Sequence, residues 1–253
     1  MRRPHLAKLI ENAVDERPTA RHRGRLDWCR TADATHTRRV ADDPRAEARA
    51  RWLNAGLHRA ELVDDPLEQF TRWHAEVGEA GVFEPDAMVL ATADDQGQPS
   101  SRHVLLRGVG PDGFTFFTNY QSRKGDELSV NPRASLLFPW AELSRQVTGV
   151  GAVVRASGQV SDAYFATRER GSQLSAWASH QSQVVADRAT LDGRYAEAEA
   201  EWEGRTVERP PHWGGFHVQP LTIEFWQGRP SRRHDRFRYT RTPTGWQIDR
   251  LNP

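Results

Sequence analysis

The chain has 253 residues, with 35 basic against 34 acidic side chains and a net charge of +1. No global field therefore draws it to nucleic acid or to an anionic membrane, and any anion site must be local. A single cysteine, Cys29, excludes an internal disulfide and a cysteine-based zinc site and fits a reducing compartment.

A length of this order allows one large domain or two small ones with a real core, and nine Trp with ten Phe supply the apolar bulk. Residues 1–48 are rich in Arg, Asp, Ala and Thr, lack apolar periodicity and read as a polar, mobile extension, leaving 49–253 as the folded domain. Lys8 and Glu11 interrupt any leader-like apolar stretch, and no run approaches the roughly 20 residues of a membrane span, so a cytoplasmic location is expected. Arg49 to Leu62 reads as a short helix or arm. Asp64-Asp65-Pro66 then starts a helix to about Ala80, with Leu67, Phe70, Trp73 and Val77 forming one apolar stripe.

The period changes after residue 86. Ala87–Ala93, Ser101–Arg107 and Phe114–Asn119, separated by turn residues at 94–99 and 110–113, predict an antiparallel meander. Ser122 can cap a short helix to Val130, which Asn131-Pro132 stops. Further strands are expected at Ala134–Trp140 and Gln146–Arg155, then a helix from Asp162 to Arg170 capped by Ser161, a break at Gly171-Ser172, and a polar helix from about Val184 to Trp202. Two strands follow, joined at Gly228 to Ser231, and a last hairpin turns at Thr242–Gly245. Six or more antiparallel strands with inserted helices favour a closed or split β-barrel over a doubly wound sheet.

Three stretches could carry chemistry. Arg102 and Arg107, five apart, point to opposite faces of a regular strand, while Arg123 and Lys124 open a helix whose free N–H groups favour an anion such as phosphate. Lysine occurs only at positions 8 and 124, which sets Lys124 apart from the many arginines. Tyr164 and Arg168, at i and i+4, share a helical face, and Ser172 could join them on one phosphate. Arg232, His234, Arg236 and Arg238 alternate along the penultimate strand and would share one face. A solvated, charge-protected edge strand is the competing reading of that last row. Ten histidines show no H-x-x-x-H or H-E-x-x-H pairing, so no metal is expected, and no G-x-S-x-G elbow supports a serine hydrolase.

Taken in order, Arg102–Arg107, Phe116–Asn119, Ser122–Gly125, Arg145–Val147, Ala176–Ser179 with Gln181-Ser182, Trp213–Gly215, Ile223–Arg236 and Asp249–Pro253 resemble the pyridoxine (pyridoxamine) 5′-phosphate oxidase family. The resemblance implies a mainly β, antiparallel, Greek-key-like FMN-binding split barrel with inserted helices, dimerised with two flavin sites at the interface. It further implies oxidation of a vitamin B6 phosphate to pyridoxal 5′-phosphate, with dioxygen as acceptor and hydrogen peroxide released. On that pattern Arg102, Arg123, Lys124 and Ser182 hold the FMN phosphate. His103, Val104, Leu105, Leu106, Arg107, Phe117, Thr118, Gln146, Gln181, Trp226 and Arg236 line the flavin. Tyr164, Arg168 and Ser172 clamp the substrate phosphate with Arg107, and the catalytic pair Arg232 and His234 covers the pyridine ring. Arg49 and Trp52 fall on an arm that closes over the substrate.

Some positions depart from the family pattern. Arg107 stands for a usual lysine and Trp52 for a usual tyrosine, Ser175 replaces a common glycine, and Arg233 a common leucine. A guanidinium does not simply replace an ammonium. Two other functions fit the same resemblance: a related FMN oxidase of another substrate, as in phenazine pathways, and a non-catalytic flavin-binding split-barrel module.

Overall fold

The computed structural model describes residues 43–253. Nine antiparallel strands form the sheet: β1 (Ala87–Ala93), β2 (Pro99–Leu105), β3 (Gly108–Gly110), β4 (Gly113–Asn119), β5 (Arg133–Phe138), β6 (Arg145–Arg155), β7 (Trp213–Gln227), β8 (Asp235–Thr242) and β9 (Gly245–Arg250). They run in the order β2-β1-β5-β6-β7-β4-β3, with β8 added to β7 and β9 to β8. The fifteen-residue β7 is the common member. One of its edges pairs with β6, and the other pairs with β4 over residues 213–218 and with β8 over residues 222–227. A bulge between Val150 and Gly151 lets β6 follow this bend. There a Cβ on Gly151 would lie 1.9 Å from the Gln219 carbonyl oxygen.

Helices fill the connections: α1 (Pro44–Ala55), α2 (Pro66–Glu79), α3 (Arg123–Val130), α4 (Gly158–Ala166), α5 (Arg170–Ala178) and α6 (Arg188–Glu201). Asp65 and Ser122 cap α2 and α3, accepting from Leu67 N and Gly125 N, as local chemistry requires. Phe70, Trp73 and Val77 of α2 are buried against Phe114, Phe138 and Phe225 of the sheet, which is what the 3-4 apolar spacing predicts. No helix among the described residues is long and apolar enough to cross a membrane.

Several expectations shift. The boundary at 48/49 falls inside α1, which starts at Pro44 because Asp43 accepts from Arg45 N; residues 1–42 lie outside the described residues. Helix α4 spans 158–166, since Ser157 is the cap and the Ser161 hydroxyl instead accepts from Gly215 N of β7 at 3.1 Å. Gly171 does not break the chain: α5 runs through it, packed on α6. Asp187 caps α6, which therefore begins at Arg188 rather than near Val184. The connection from β7 to β8 is seven residues long and includes a 3-10 turn at Pro230–Arg232.

Candidate active site

A cavity of about 730 Å³ opens between β2, β4, the α4–α5 corner and the segment after α5, within the size range of a small-molecule site. Its lining includes Arg102, His103, Val104, Leu105 and Arg107 from the β2 end, Phe117, Thr118 and Lys124 from β4 and α3, and Tyr164, Arg168, Ser172 and Gln181 from beyond. These twelve expected site residues meet in one place although they come from four separate stretches. Arg102 and Arg107 share it despite their odd spacing, because β2 ends at Leu105 and Arg107 turns to bond its N–H to Thr115 O at 2.8 Å. Arg168 also lies beyond the last turn of its helix, where its N–H reaches Phe165 O at 3.1 Å.

The cavity has two cationic ends. At the first, Lys124 is buried, and its Nζ donates to Thr118 Oγ1 (3.1 Å), Ser122 Oγ (3.1 Å) and Gln181 Oε1 (2.7 Å), all neutral oxygens. Burial first, and then the Arg102 charge, lower its pKa to about 8 against the pull of Glu127. Arg102 donates to Thr92 Oγ1 (2.5 Å), Leu90 O (3.3 Å), the Ser100 hydroxyl and Glu127 Oε2 (3.3 Å). Glu127 organises this end: burial alone would raise its carboxyl, but hydrogen bonds from Ser100, Thr92, Arg123 and Arg102 hold it at about 2. Arg123 contributes through its Nε at 2.8 Å while facing the outer surface beside Ser182, next to the cavity rather than inside it.

At the second end the Arg168 guanidinium lies over the Trp213 ring at 4.7 Å, and its Nη1 is buried with no hydrogen-bond partner. Burial lowers its pKa from the usual guanidinium value; Tyr164 opposes that shift and the Arg107 charge adds to it. A buried N–H donor without a partner costs free energy unless a ligand meets it. Between the two ends Phe117, Tyr164 and Trp213 form a wall of nearly parallel rings. Phe117 stacks on Tyr164 at 4.0 Å and on Trp213 at 5.6 Å. Gly215 permits this approach, since a Cβ there would lie 2.9 Å from the Phe117 ring.

The remaining expected residues lie elsewhere in the chain. Leu106 is buried in the main core. Trp52, expected on an arm that closes over the substrate, is buried in that core: the Arg145 guanidinium sits between Trp52 (3.8 Å) and Trp73 (4.1 Å) and pairs with Glu76 at 2.5 Å. Arg49 donates from Nε to Ser144 Oγ at 3.0 Å. Gln146 donates to Thr148 Oγ1 at 3.4 Å. Arg232 is not on a strand. It ends the 3-10 turn at φ +58, next to Ser231 at the same positive φ, and is exposed. His234 precedes β8, with its Nδ1 accepting from Arg229 N (3.1 Å) and its ring 4.6 Å from that of Trp226. The four-residue basic row thus reduces to Arg236 and Arg238. Arg236 donates two hydrogen bonds to Glu224 (2.7 and 3.0 Å), and Arg238 is exposed.

Trp213 lines the cavity and Glu127 bonds to Arg102 beside it, yet sequence reasoning gave neither a role: Trp213 was named only within a matching stretch and Glu127 not at all. The i, i+4 spacing of Arg123 and Glu127 was the available signal for Glu127; the Gly214-Gly215 pair beside an aromatic was the signal for Trp213. Among the described residues no cluster of three or more His, Cys, Asp or Glu is arranged to hold a metal ion.

Comparison with known proteins places this geometry. A family profile described as "Pyridoxamine 5'-phosphate oxidase" matches residues 74–201, and one described as "Pyridoxine 5'-phosphate oxidase C-terminal dimerisation region" matches residues 213–253. The chain is 53% identical over 208 residues to a protein of Rubrobacter xylanophilus named pyridoxine/pyridoxamine 5′-phosphate oxidase, covering 82% of this chain and 96% of the relative. A protein of Acidothermus cellulolyticus with the same name is 52% identical over 224 residues, covering 87% and 98%. Among solved structures, PhzG from Burkholderia lata, in complex with tetrahydrophenazine-1-carboxylic acid, superposes with a TM-score of 0.74 at 33% identity, covering 78% of this chain and 98% of PhzG. A pyridoxamine 5′-phosphate oxidase-related, FMN-binding protein of Nostoc punctiforme shares the fold, with a TM-score of 0.60 at 16% identity over 76% of this chain and all of that one. The architecture is the antiparallel split barrel expected from the sequence.

Proposed function

This chain belongs to the pyridoxine/pyridoxamine 5′-phosphate oxidase family, and from that premise we propose that it is an FMN-dependent oxidase converting pyridoxamine or pyridoxine 5′-phosphate to pyridoxal 5′-phosphate. The observation that carries this reading is one cavity with two separate cationic ends, each short of an anion. Lys124 is buried among neutral oxygens, and Arg168 holds a buried Nη1 without a partner. Two phosphate esters, one on a cofactor and one on a substrate, satisfy both ends. The aromatic wall between them suits two flat ring systems.

When bound, FMN would supply the two-electron acceptor for oxidation at the substrate's C4′ carbon, with dioxygen as final oxidant leaving as hydrogen peroxide; the amine substrate also takes up water and releases ammonia. Lys124, Arg102, Arg123 and Ser182 hold the FMN phosphate, and the β2 end with Phe117, Thr118 and Gln181 lines the flavin. Tyr164, Arg168, Ser172 and Arg107 hold the substrate phosphate, fixing the orientation on which a hydride transfer depends. Gln146, Trp226, Arg232, His234 and Arg236 lie outside the cavity of their own chain. Four of these five fall within the match to the dimerisation region. We assign them to the cavity of a second copy, so that a homodimer builds two composite sites, with Arg232 and His234 covering the substrate ring. His234 accepts a backbone N–H at Nδ1, so its neutral ring carries the proton on Nε2 and presents a donor there. Arg49 reaches the same region from α1. A cytoplasmic enzyme whose catalytic domain includes the whole of α1 completes the reading.

The similarity to PhzG raises one other substrate class, a reduced phenazine carboxylate. The test is an assay of the purified protein with pyridoxamine 5′-phosphate, pyridoxine 5′-phosphate and tetrahydrophenazine-1-carboxylic acid. We expect a yellow protein that releases one peroxide per B6 phosphate consumed. A colourless protein that ignores added FMN, or a yellow one inert to both B6 phosphates, overturns the proposal.

A further inference from the structure

The second cationic end contains two guanidinium groups, Arg107 and Arg168, and like charges at one site repel. Arg168 is fixed by its seat on Trp213, whereas Arg107 is a long, flexible side chain only partly covered. Among the described residues its one side-chain partner is Asp86, whose Oδ2 accepts from Nη1 at 3.4 Å. Asp86 is itself held at two points and its neighbour Pro85 at a third. The Asp86 carbonyl accepts from Leu106 N at 2.9 Å, its Oδ1 lies 2.9 Å from His74 Nε2, and the preceding Pro85 carbonyl accepts from Trp140 Nε1 at 3.1 Å. His74 in turn stacks on Phe70 at 5.7 Å. The part-exposed carboxylate is thus tied through His74 and its own backbone to elements packed on the core, and the single bond to Arg107 leaves four of the five guanidinium N–H donors for a ligand.

We propose that Asp86 is a positioning residue for the substrate's phosphate end: it holds Arg107 beside Arg168 against their mutual repulsion, and His74 holds Asp86. Neither Asp86 nor His74 lines the cavity. The proposal rests on the oxidase reading in one respect, that the anion bound there is the phosphate ester of the substrate. A preorganised cation binds more tightly than one that must be ordered on binding.

The experiment is a double-mutant cycle on the FMN-loaded enzyme with Asp86→Asn, Arg107→Ala and both together. KM and kcat for pyridoxamine 5′-phosphate are measured, with binding of pyridoxal 5′-phosphate and of inorganic phosphate read separately from tryptophan fluorescence. Asp86→Asn should raise KM and both dissociation constants about fivefold, the scale of a partly exposed ion pair, with the loss falling on KM rather than kcat. In the Arg107→Ala background the same change should add less than about twofold. A KM that is unchanged or lowered by Asp86→Asn, or an equal rise with and without Arg107, overturns the proposal. Should Asp86→Asn fail to fold, His74→Phe keeps the stacked ring and loses only the bond to Asp86. It should raise the phosphate dissociation constant in the same direction, and no rise overturns the assignment. A wild-type protein that binds both phosphates without turnover defeats the oxidase reading alone, because the binding cycle still tests Asp86.

Discussion

Replacing Arg168 by Ala should weaken the substrate and leave the ligand-free fold no less stable. The side chain carries a buried Nη1 with no partner and a guanidinium 4.7 Å above Trp213. In the free protein its removal forfeits a cation–π contact of about 0.5–1 kcal/mol and relieves an unsatisfied buried donor that costs about 1–3 kcal/mol. The melting temperature should therefore hold or rise. On substrate the same residue makes charge-assisted hydrogen bonds to phosphate, about 1.5–3 kcal/mol, so KM for pyridoxamine 5′-phosphate should rise roughly 10- to 150-fold. Initial rates by peroxide release, beside thermal unfolding of the same preparations, measure both. An unchanged KM refutes the assigned role, and a melting temperature lowered by several degrees with unchanged KM would show that Arg168 is a structural residue.

Lys124 has a pKa of about 8 in the free protein, lowered mainly by burial, and a bound phosphate must raise it. FMN affinity of the apoprotein should then be greatest near pH 7 and fall by up to about tenfold per pH unit above pH 8, as read by flavin fluorescence titration; a pH-independent affinity from 7 to 9.5 rejects the contact. In the same free protein, the cost of burying the charged Lys124 is relieved as pH rises through 8 towards its unfolded value, so this group makes the apoprotein more stable at pH 9 than at pH 7. Gly215→Ala should push the Phe117 ring from its stack, since the new Cβ would sit 2.9 Å from it and 2.9 Å from Ala156 Cβ, costing about 1–3 kcal/mol in urea unfolding with loss of flavin content. Trp52→Ala should cost about 3–5 kcal/mol of stability, because Trp52 is a core residue that covers one face of Arg145; a purely substrate-facing Trp52 would change KM and leave the urea midpoint alone.

How much of this was legible in the sequence follows from how local each signal is. Asp65-Pro66 and Ser122 mark helix starts because a cap bonds within three residues of itself, and the structure has those caps. Nine of the twelve cavity residues fall in motifs that keep their order along the chain; Tyr164, Arg168 and Ser172 were joined by i, i+4 spacing, and no spacing links these two groups. The basic row was over-read. Alternation holds only on a strand, and Ser231 and Arg232 take positive φ with no glycine to announce it. Trp52 was placed on a substrate-covering arm by resemblance alone; its burial depends on Arg145, far along the chain, and nothing near Trp52 in sequence announces it. At Gly171 the glycine costs helix only about 1 kcal/mol relative to alanine, and α5, packed on α6, runs through it.

Strand β7 has a consequence for how the molecule comes apart. Because it is hydrogen-bonded to β6 along one edge and to β4 and β8 in turn along the other, neither half of the sheet can open without freeing amides of the same strand. Local opening should therefore be confined to the helices and outer strands. Amides of β7 that face β6 should exchange with solvent only through global unfolding, and their exchange rates, measured with and without flavin, would report the full stabilisation that the cofactor brings.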